Sequence, residues 1–314
     1  HDQSHKSETQ QKIKWFNIPH IPVKNYSTRE LFNCMLKALS AKNPDLIVGG
    51  SADLSESTGA KVPEKNYIHY GVREHAMGAI MNGLVLAGFK PYGSTFLVFG
   101  DYMRGAIRMA ALMNLAVLFV FSHDSIALGE DGSTHQPVEQ LPGLRMIPKL
   151  TIYRPCNPIE MFLCLKRHFS DNSPSAIILS RQSFAAVPES KDASVCGYVI
   201  AGDKNARVKL VATGSEVALA LAVREKLESL GVKTSVMSVP SLEILMRENR
   251  AGIARFLSSG FGVWIEASSE MPPFSVSMVA RVSDFGESGR GVDVYKKYGF
   301  DADYISDEII KKIK

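Results

Sequence analysis

The chain has 314 residues, 45% of them hydrophobic, which suits about two domains of roughly 150 residues with a core in each and excludes a disordered protein. Lys plus Arg exceed Asp plus Glu by 36 − 32 = 4, and the excess is scattered, so no nucleic-acid-binding stripe is expected while small anionic partners stay open. The longest stretches free of Asp, Glu, Lys and Arg, His75 to Phe89 and Met109 to His123, fall short of the roughly 18 apolar residues of a membrane span. Cys34, Cys156, Cys164 and Cys196 form no CxxC pair and no metal-ligand cluster with histidine, which suits a reducing cytoplasm. His1 to Lys14 has a single apolar residue, Ile13, so it holds no signal-peptide core; residues 1–18 are expected to be a linker or a flexible tail.

Ser27-Thr28-Arg29-Glu30 ahead of Leu31, Phe32, Met35, Leu36 and Leu39 predicts a capping box opening an amphipathic helix that stops at Asn43-Pro44-Asp45. Short apolar strands are expected at 46–48, 67–70, 116–121, 151–153 and 175–179, with helices between them. This alternation predicts a parallel sheet covered by helices on both faces. After a polar, glycine-bearing stretch from Lys191 to Asn205, strands at 207–212, 234–239 and 263–267 and a helix from Ser215 to Leu230 predict a second α/β domain. The turn Thr213-Gly214-Ser215-Glu216 could cradle an anion on free backbone N–H groups, although such turns are also ordinary helix caps.

Open parallel sheets bind ligands at the carboxyl ends of their strands, and here those ends are polar. They present Asp53, then Arg73-Glu74-His75, then His123-Asp124, then Arg181-Gln182, more acids, histidines and arginines on one rim than packing requires. Glu74 opens an apolar helix; it is either an acid complementing the helix dipole or a desolvated carboxyl group able to share a proton with a buried heterocycle. Phe96, Phe99 and Tyr102, spaced by three on an expected helix, form an aromatic stripe that by itself suggests core. The segment Leu128 to Leu144 packs Glu130, Asp131, His135 and Gln136 between glycines and prolines, a composition no core needs, and is expected to be a functional loop or lid. Arg29, His123 and Arg181, each unremarkable alone, could converge on one anionic group.

Six segments carry a family resemblance: GGSADLS (49–55), NYIHYGVREHAMGAIMNG (66–83), PYGSTFLVFGDY (91–102), SHDSIALGEDGSTHQPVEQLPGLR (122–145), ILSRQ (178–182) and ATGSEV (212–217). In this order they resemble the C-terminal portion of transketolases. The resemblance implies a pyrimidine-binding domain at 19–190 and a transketolase C-terminal domain at 191–314, each a mostly parallel sheet flanked by helices. It implies transfer of a two-carbon ketol unit from a ketose phosphate to an aldose phosphate with thiamine diphosphate as cofactor. Glu74 would hydrogen-bond the aminopyrimidine ring, Phe96, Phe99 and Tyr102 would pack it, and Asp53 would lie near the cofactor. Asp131 and His135 would contact sugar oxygens, His135 as a catalytic residue, and Arg29, Ser57, His123 and Arg181 would hold the substrate phosphate.

The family's diphosphate and metal motif begins Gly-Asp-Gly, and no Gly-Asp-Gly occurs in this sequence. The resemblance therefore implies that magnesium or calcium and the diphosphate are held by an N-terminal domain outside these residues, and that this chain supplies half of each site in a homodimer. 1-Deoxyxylulose-5-phosphate synthase shares a similar loop and the beta chain of 2-oxo acid dehydrogenases is related, but GVREH, GEDGSTHQPVEQ and Arg29 favour transketolase. A non-catalytic dimerisation fragment is the alternative from another class.

Overall fold

The computed structural model describes residues 12–19, 21, 25–203 and 205–314. The first half contains β1 (Asn25–Tyr26), α1 (Thr28–Lys42), β2 (Ile47–Ser51), α2 (Ser55–Thr58), β3 (Tyr67–His69), α3 (Glu74–Leu86), β4 (Lys90–Phe96), α4 (Arg104–Met113), β5 (Leu118–Ser122), α5 (Gln140–Arg145), β6 (Thr151–Tyr153), α6 (Pro158–Ser170), β7 (Ser175–Leu179) and β8 (Phe184–Ala185). Its six-stranded sheet is parallel throughout, in the order β3-β2-β4-β5-β7-β6, while β1 and β8 pair antiparallel in a small ribbon.

The period-2 alternation of the strands supplies both faces of this sheet. Leu118, Val120, Ile177 and Leu179 pack with α1 and α6, whereas Phe119, Phe121, Ala176 and Ile178 pack with α3, α4 and α5. The capping box is present: Ser27 Oγ accepts from Glu30 N at 3.4 Å, and Glu30 Oε2 accepts from Ser27 N at 2.9 Å. Trp15 and Phe16, inside the segment expected to be a linker or tail, pack edge-on against Phe162 of α6 at 5.6 and 5.7 Å; residues 1–11 lie outside the described residues.

Two local expectations change. The strands expected from the sequence include none at 90–96, yet β4 lies there between β2 and β5, with Pro91 and Gly93, both poor strand residues, inside it. Gly93 is required there, since a Cβ would fall 2.5 Å from Met81 Sδ and 3.0 Å from Met77 Cγ and push α3 off the sheet. The aromatic stripe begins at the end of β4 and continues on a 3₁₀ turn, Leu97–Met103, instead of an α-helix. With 3.0 residues per turn, a spacing of three stacks side chains one above another.

The second half contains β9 (Tyr198–Ala201), β10 (Val208–Ala212), α7 (Glu216–Ser229), β11 (Thr234–Ser238), α8 (Leu242–Glu248), α9 (Arg250–Leu257), β12 (Phe261–Ile265), β13 (Met278–Ala280), α10 (Gly291–Lys297) and α11 (Ala302–Ile313). Its sheet order is β13-β12-β10-β11-β9, parallel except for β9. No helix among the described residues is long and apolar enough to cross a membrane.

The halves meet with the carboxyl ends of both sheets facing one another, through a cluster of ions whose centre, Arg154, Asp124, Glu216 and Glu266, is buried. Arg154, just after β6, donates to Asp124 Oδ2 at 2.9 Å and Thr213 Oγ1 at 2.8 Å, and its Nη1 lies 2.8 Å from Glu216 Oε2. Arg145 forms a bidentate pair with Glu266, both bonds 2.8 Å, and also approaches Glu243 and Glu270. The turn 213–216, which could have been an anion cradle or an ordinary helix cap, is used internally: Ser215 Oγ donates to Asp124 Oδ2 at 2.8 Å, and Gly214 N donates to the Arg154 carbonyl at 3.0 Å. Burial drives the Glu266 carboxyl up, but the charge and hydrogen bonds of Arg145, then Arg154, outweigh it and hold the group at about 2. Its contribution to stability is thus complete above its ordinary value of 4.5 and is lost as pH falls toward 2.

Replacing Arg154 by Met keeps the volume but strands Asp124, Glu216 and Glu266 without their shared cation. The variant should lose about 3–5 kcal/mol of stability at pH 7 by urea denaturation. A loss under about 1 kcal/mol would show that the cluster holds nothing together.

Candidate active site

The order β3-β2-β4 places a topological switch point between β2 and β4, where the chain leaves on one side of β2 and returns on the other. Asp53 follows β2, Glu74 follows β3, Phe96 ends β4, His123 follows β5 and Arg181 follows β7, so the rim read from the sequence is one edge of one sheet. Asp53 and His123 have left-handed φ values of 67° and 62°, two of four such non-glycine residues among those described. Backbone strain of this kind gathers at functional sites.

Glu74, the first residue of α3, is 6% exposed. Thr95 Oγ1 donates to Glu74 Oε1 at 3.0 Å, the one hydrogen bond to this carboxyl among the described residues. Beside it opens a cavity of about 600 Å³ lined by Val72, Arg73, Glu74, His75, Phe99 and Tyr102. A buried carboxyl with one oxygen occupied and the other free, next to aromatic walls, fits a flat heterocycle that offers a proton-exchanging nitrogen.

From the cavity a run of rings crosses the rim. Tyr102 and Phe99 lie 6.1 Å apart, Phe99 stacks on Phe96 at 5.6 Å, and Phe96 meets the His123 ring at 3.7 Å. His135 stands edge-on to Phe96 and Phe99 at 6.0 and 5.5 Å. Asp131, on the same loop as His135, is exposed on the rim, as is Asp53.

Arg29 and Arg181 stand at the far end. Burial and then the charge of Arg181 hold the Arg29 guanidinium below its ordinary range. Among the described residues neither is ion-paired; their acceptors are carbonyl oxygens, Ser57 O for Arg29 at 2.5 Å and Leu128 O for Arg181 at 3.2 Å. Ser57 thus meets Arg29 through its backbone. Burial, then the positive charges of Arg29, Arg181 and His135, push the His123 imidazole down to about 3, so it is neutral at pH 7. Ser122 Oγ lies 2.9 Å from its Nδ1. Two arginines in mutual repulsion beside a neutral histidine form a site short of an anion.

The structure adds residues that the sequence did not single out. Thr95 was hidden with β4, and Arg154 meets Asp124, a strand-end acid read from the sequence 30 positions earlier, only across strand ends. Among the described residues no group of three or more His, Cys, Asp or Glu is arranged to hold a metal ion.

A family model of the transketolase pyrimidine-binding domain matches residues 24–186, just over half of the chain, and one of the transketolase-like C-terminal domain matches 196–301. The chain belongs to the transketolase family. It is 41% identical over 312 residues to a transketolase of Aquifex aeolicus, covering 91% of this chain and 45% of that protein. A Pichia stipitis transketolase in complex with sedoheptulose-7-phosphate superposes with a TM-score of 0.85 at 33% identity, over 92% of this chain and 46% of that one. A split-gene transketolase described as an inactive beta4 tetramer superposes with a TM-score of 0.75 at 26% identity, over 91% of this chain and 97% of that one. The chain thus spans about half the length of the curated transketolases it matches.

A histidine held near 3 in the folded chain takes up its proton near 6.5 once unfolded, so its contribution to stability is full above 6.5 and is lost as pH falls to about 3. His123→Asn removes this titration and tolerates the left-handed backbone. Urea stability measured from pH 7 to 4 should fall less steeply in the variant, by up to about 1.4 kcal/mol per pH unit. Identical slopes would mean that His123 titrates normally in the folded chain.

Proposed function

We propose that the chain supplies the pyrimidine half of a transketolase active site, which transfers a two-carbon ketol unit between sugar phosphates with thiamine diphosphate. The observation that carries this reading is the run of rings joining a buried carboxyl, Glu74, to the unpaired Arg29 and Arg181. One end suits a heterocycle that must exchange a proton, the other suits a phosphate, and the exposed Asp131 and half-buried His135 between them suit sugar hydroxyls. Asp53 is assigned to the cofactor's edge and Ser57 to the phosphate end. Thiamine diphosphate, when bound, supplies the electron sink for breaking a ketose carbon–carbon bond.

The chain's own residues supply the rest. Thr95 occupies Glu74 Oε1, which leaves Oε2 as the carboxyl oxygen to hydrogen-bond a heterocycle in the adjoining cavity. Phe96, Phe99 and Tyr102 exclude water and present flat faces to the pyrimidine. In the tautomer whose Nδ1 accepts from the Ser122 hydroxyl, the neutral His123 would carry its proton on Nε2 and donate it to a phosphate beside the two guanidinium groups.

The diphosphate and its magnesium or calcium ion are assigned to a transketolase domain outside this sequence. That assignment is supported by the chain's span of about half its relatives and by the lack of a Gly-Asp-Gly segment. A second copy of the chain is placed on the face of α3 and α4, where Ile80, Leu86, Met109, Leu112 and Met113 stand exposed. The free thiols of Cys34, Cys156, Cys164 and Cys196 support a cytoplasmic setting.

The test is reconstitution: the chain alone should show negligible ketol transfer, and mixing it with a diphosphate-binding transketolase domain should restore it. Full activity of the chain alone would sink the assignment. In the restored enzyme Glu74→Gln should lower kcat by about 100-fold or more. Normal proton exchange at the thiazolium carbon in that variant would reduce Glu74 to a helix-dipole acid.

The phosphate end separates binding from chemistry, because a group far from the reacting carbons is held alike in ground and transition states. Arg29→Ala or Arg181→Ala should raise KM for phosphorylated ketoses about 10- to 100-fold with kcat much less affected. An unphosphorylated donor should scarcely notice either change. Equal losses for both donors would remove the phosphate from this end of the rim.

A further inference from the structure

Gln136 lies beside His135 on the loop that follows β5, yet its side chain points away from the rim and is 2% exposed. Its Nε2 donates to three carbonyl oxygens: Ile126 at 3.2 Å, Gly129 at 3.0 Å and Glu287 at 2.9 Å. The first two belong to the loop itself and the third to the second half of the chain. Three acceptors around one nitrogen fix the orientation of the amide, since only its NH₂ end can satisfy them. The other end, Oε1, is buried with no hydrogen-bond partner. Leaving an acceptor unpaired is unfavourable, so the contacts made by the NH₂ end must outweigh it.

The wall that receives this loop is the segment 285–291, and it is built for close approach. A Cβ on Gly286 would run into Gln136 Oε1, and one on Gly291 would run into the Ala127 carbonyl oxygen. On the loop side, a Cβ on Gly129 would come within 2.6 Å of Gly291 N. Backbone therefore lies on backbone, with no side chain between to absorb movement. Ser288 Oγ donates to Glu130 O at 2.7 Å, one residue before Asp131, and Tyr295 of α10 meets Ser125 at 2.9 Å.

We infer that Gln136 is a positioning residue: with the glycine wall 285–291 of the C-terminal domain it clamps the loop that presents Asp131 and His135, so that this domain sets the geometry of sugar binding without touching the sugar. The inference rests on the reading above that this loop faces the substrate. It gives the second domain a part in the reaction beyond stability. A loop with exposed tips is pinned at its buried base, and the tip residues need not carry the cost of ordering themselves when substrate arrives.

The test uses Gln136→Ala and, should that variant not fold, Gly286→Ala, which keeps the glutamine but crowds it. Amide hydrogen exchange of the chain should accelerate about 10-fold or more in 125–136 and 285–291 while peptides from β5, β7 and β10 keep their protection. In the reconstituted enzyme KM for a ketose phosphate should rise about 10-fold with kcat changed far less, and thiamine diphosphate should bind as tightly as before. Unchanged loop exchange in both variants, or protection lost evenly across the molecule, would overturn the clamp. A loosened loop with unchanged KM would overturn its role in positioning. Should the unmutated chain and its partner domain show no ketol transfer, the functional reading fails, and the exchange experiment still decides the clamp.

Discussion

A buried guanidinium, that of Arg154, joins the carboxyl ends of the two sheets, and much of the molecule's organisation depends on it. It reaches Asp124 in the first half and Thr213, Glu216 and Glu266 in the second, all at strand ends. Five carboxylates surround two arginines there, so the cluster cannot carry all its formal charges, and burial raises Glu216 and Glu243 toward the neutral form. Such a cluster gives less stability than an apolar one of the same volume would, but it is specific. It pairs Asp124 of the first half with Arg154, and Arg154 with Glu216 and Glu266 of the second, a match that depends on how the halves dock. Asp124 is the residue after His123, so the same ion pair that joins the domains also anchors the backbone at His123, beside Arg29 and Arg181.

That anchoring explains why a strained histidine can persist at the rim. His123 keeps a left-handed φ of 62° because Ser122, Phe96 and Asp124 hold the positions on either side of it. Its neutrality follows from the same placement, since burial and two neighbouring guanidinium groups all oppose a further positive charge. The rim thus sorts its chemistry along a line. A buried acid stands at one end, positive charge at the other, and aromatic surface lies between them.

Much of this was legible in the sequence where chemistry is local. The capping box at Ser27, the alternation of strands β5 and β7 and the polar strand ends follow from neighbouring residues and hold in the structure. The family motifs added the membership in the transketolase family. What failed was also local in appearance: β4 was hidden because Pro91 and Gly93 are poor strand residues, and Gly93 is there to admit α3, an element that precedes it in the chain. With β4 went Thr95, the donor to Glu74. The aromatic stripe was visible as a spacing of three, but only the 3₁₀ turn shows that this spacing stacks the rings in line toward His123.

By itself the sequence determined the two α/β units, the strands β2, β3, β5, β6, β7, β10, β11 and β12, and the polar residues brought to the rim, because hydrophobic runs and strand-end polarity are written in adjacent positions. Only the tertiary structure decided which of those residues serve the site and which serve the junction. Asp124 and His123 are neighbours in sequence with opposite tasks, and the Thr213–Glu216 turn, open to an external anion on paper, is filled by a carboxylate from the other domain. Such assignments depend on contacts across about 30 to 160 residues, as with Gln136 and Glu287, whose sequence separation of 151 carries no local signal. They exist only once two sheets have folded and their carboxyl ends have met.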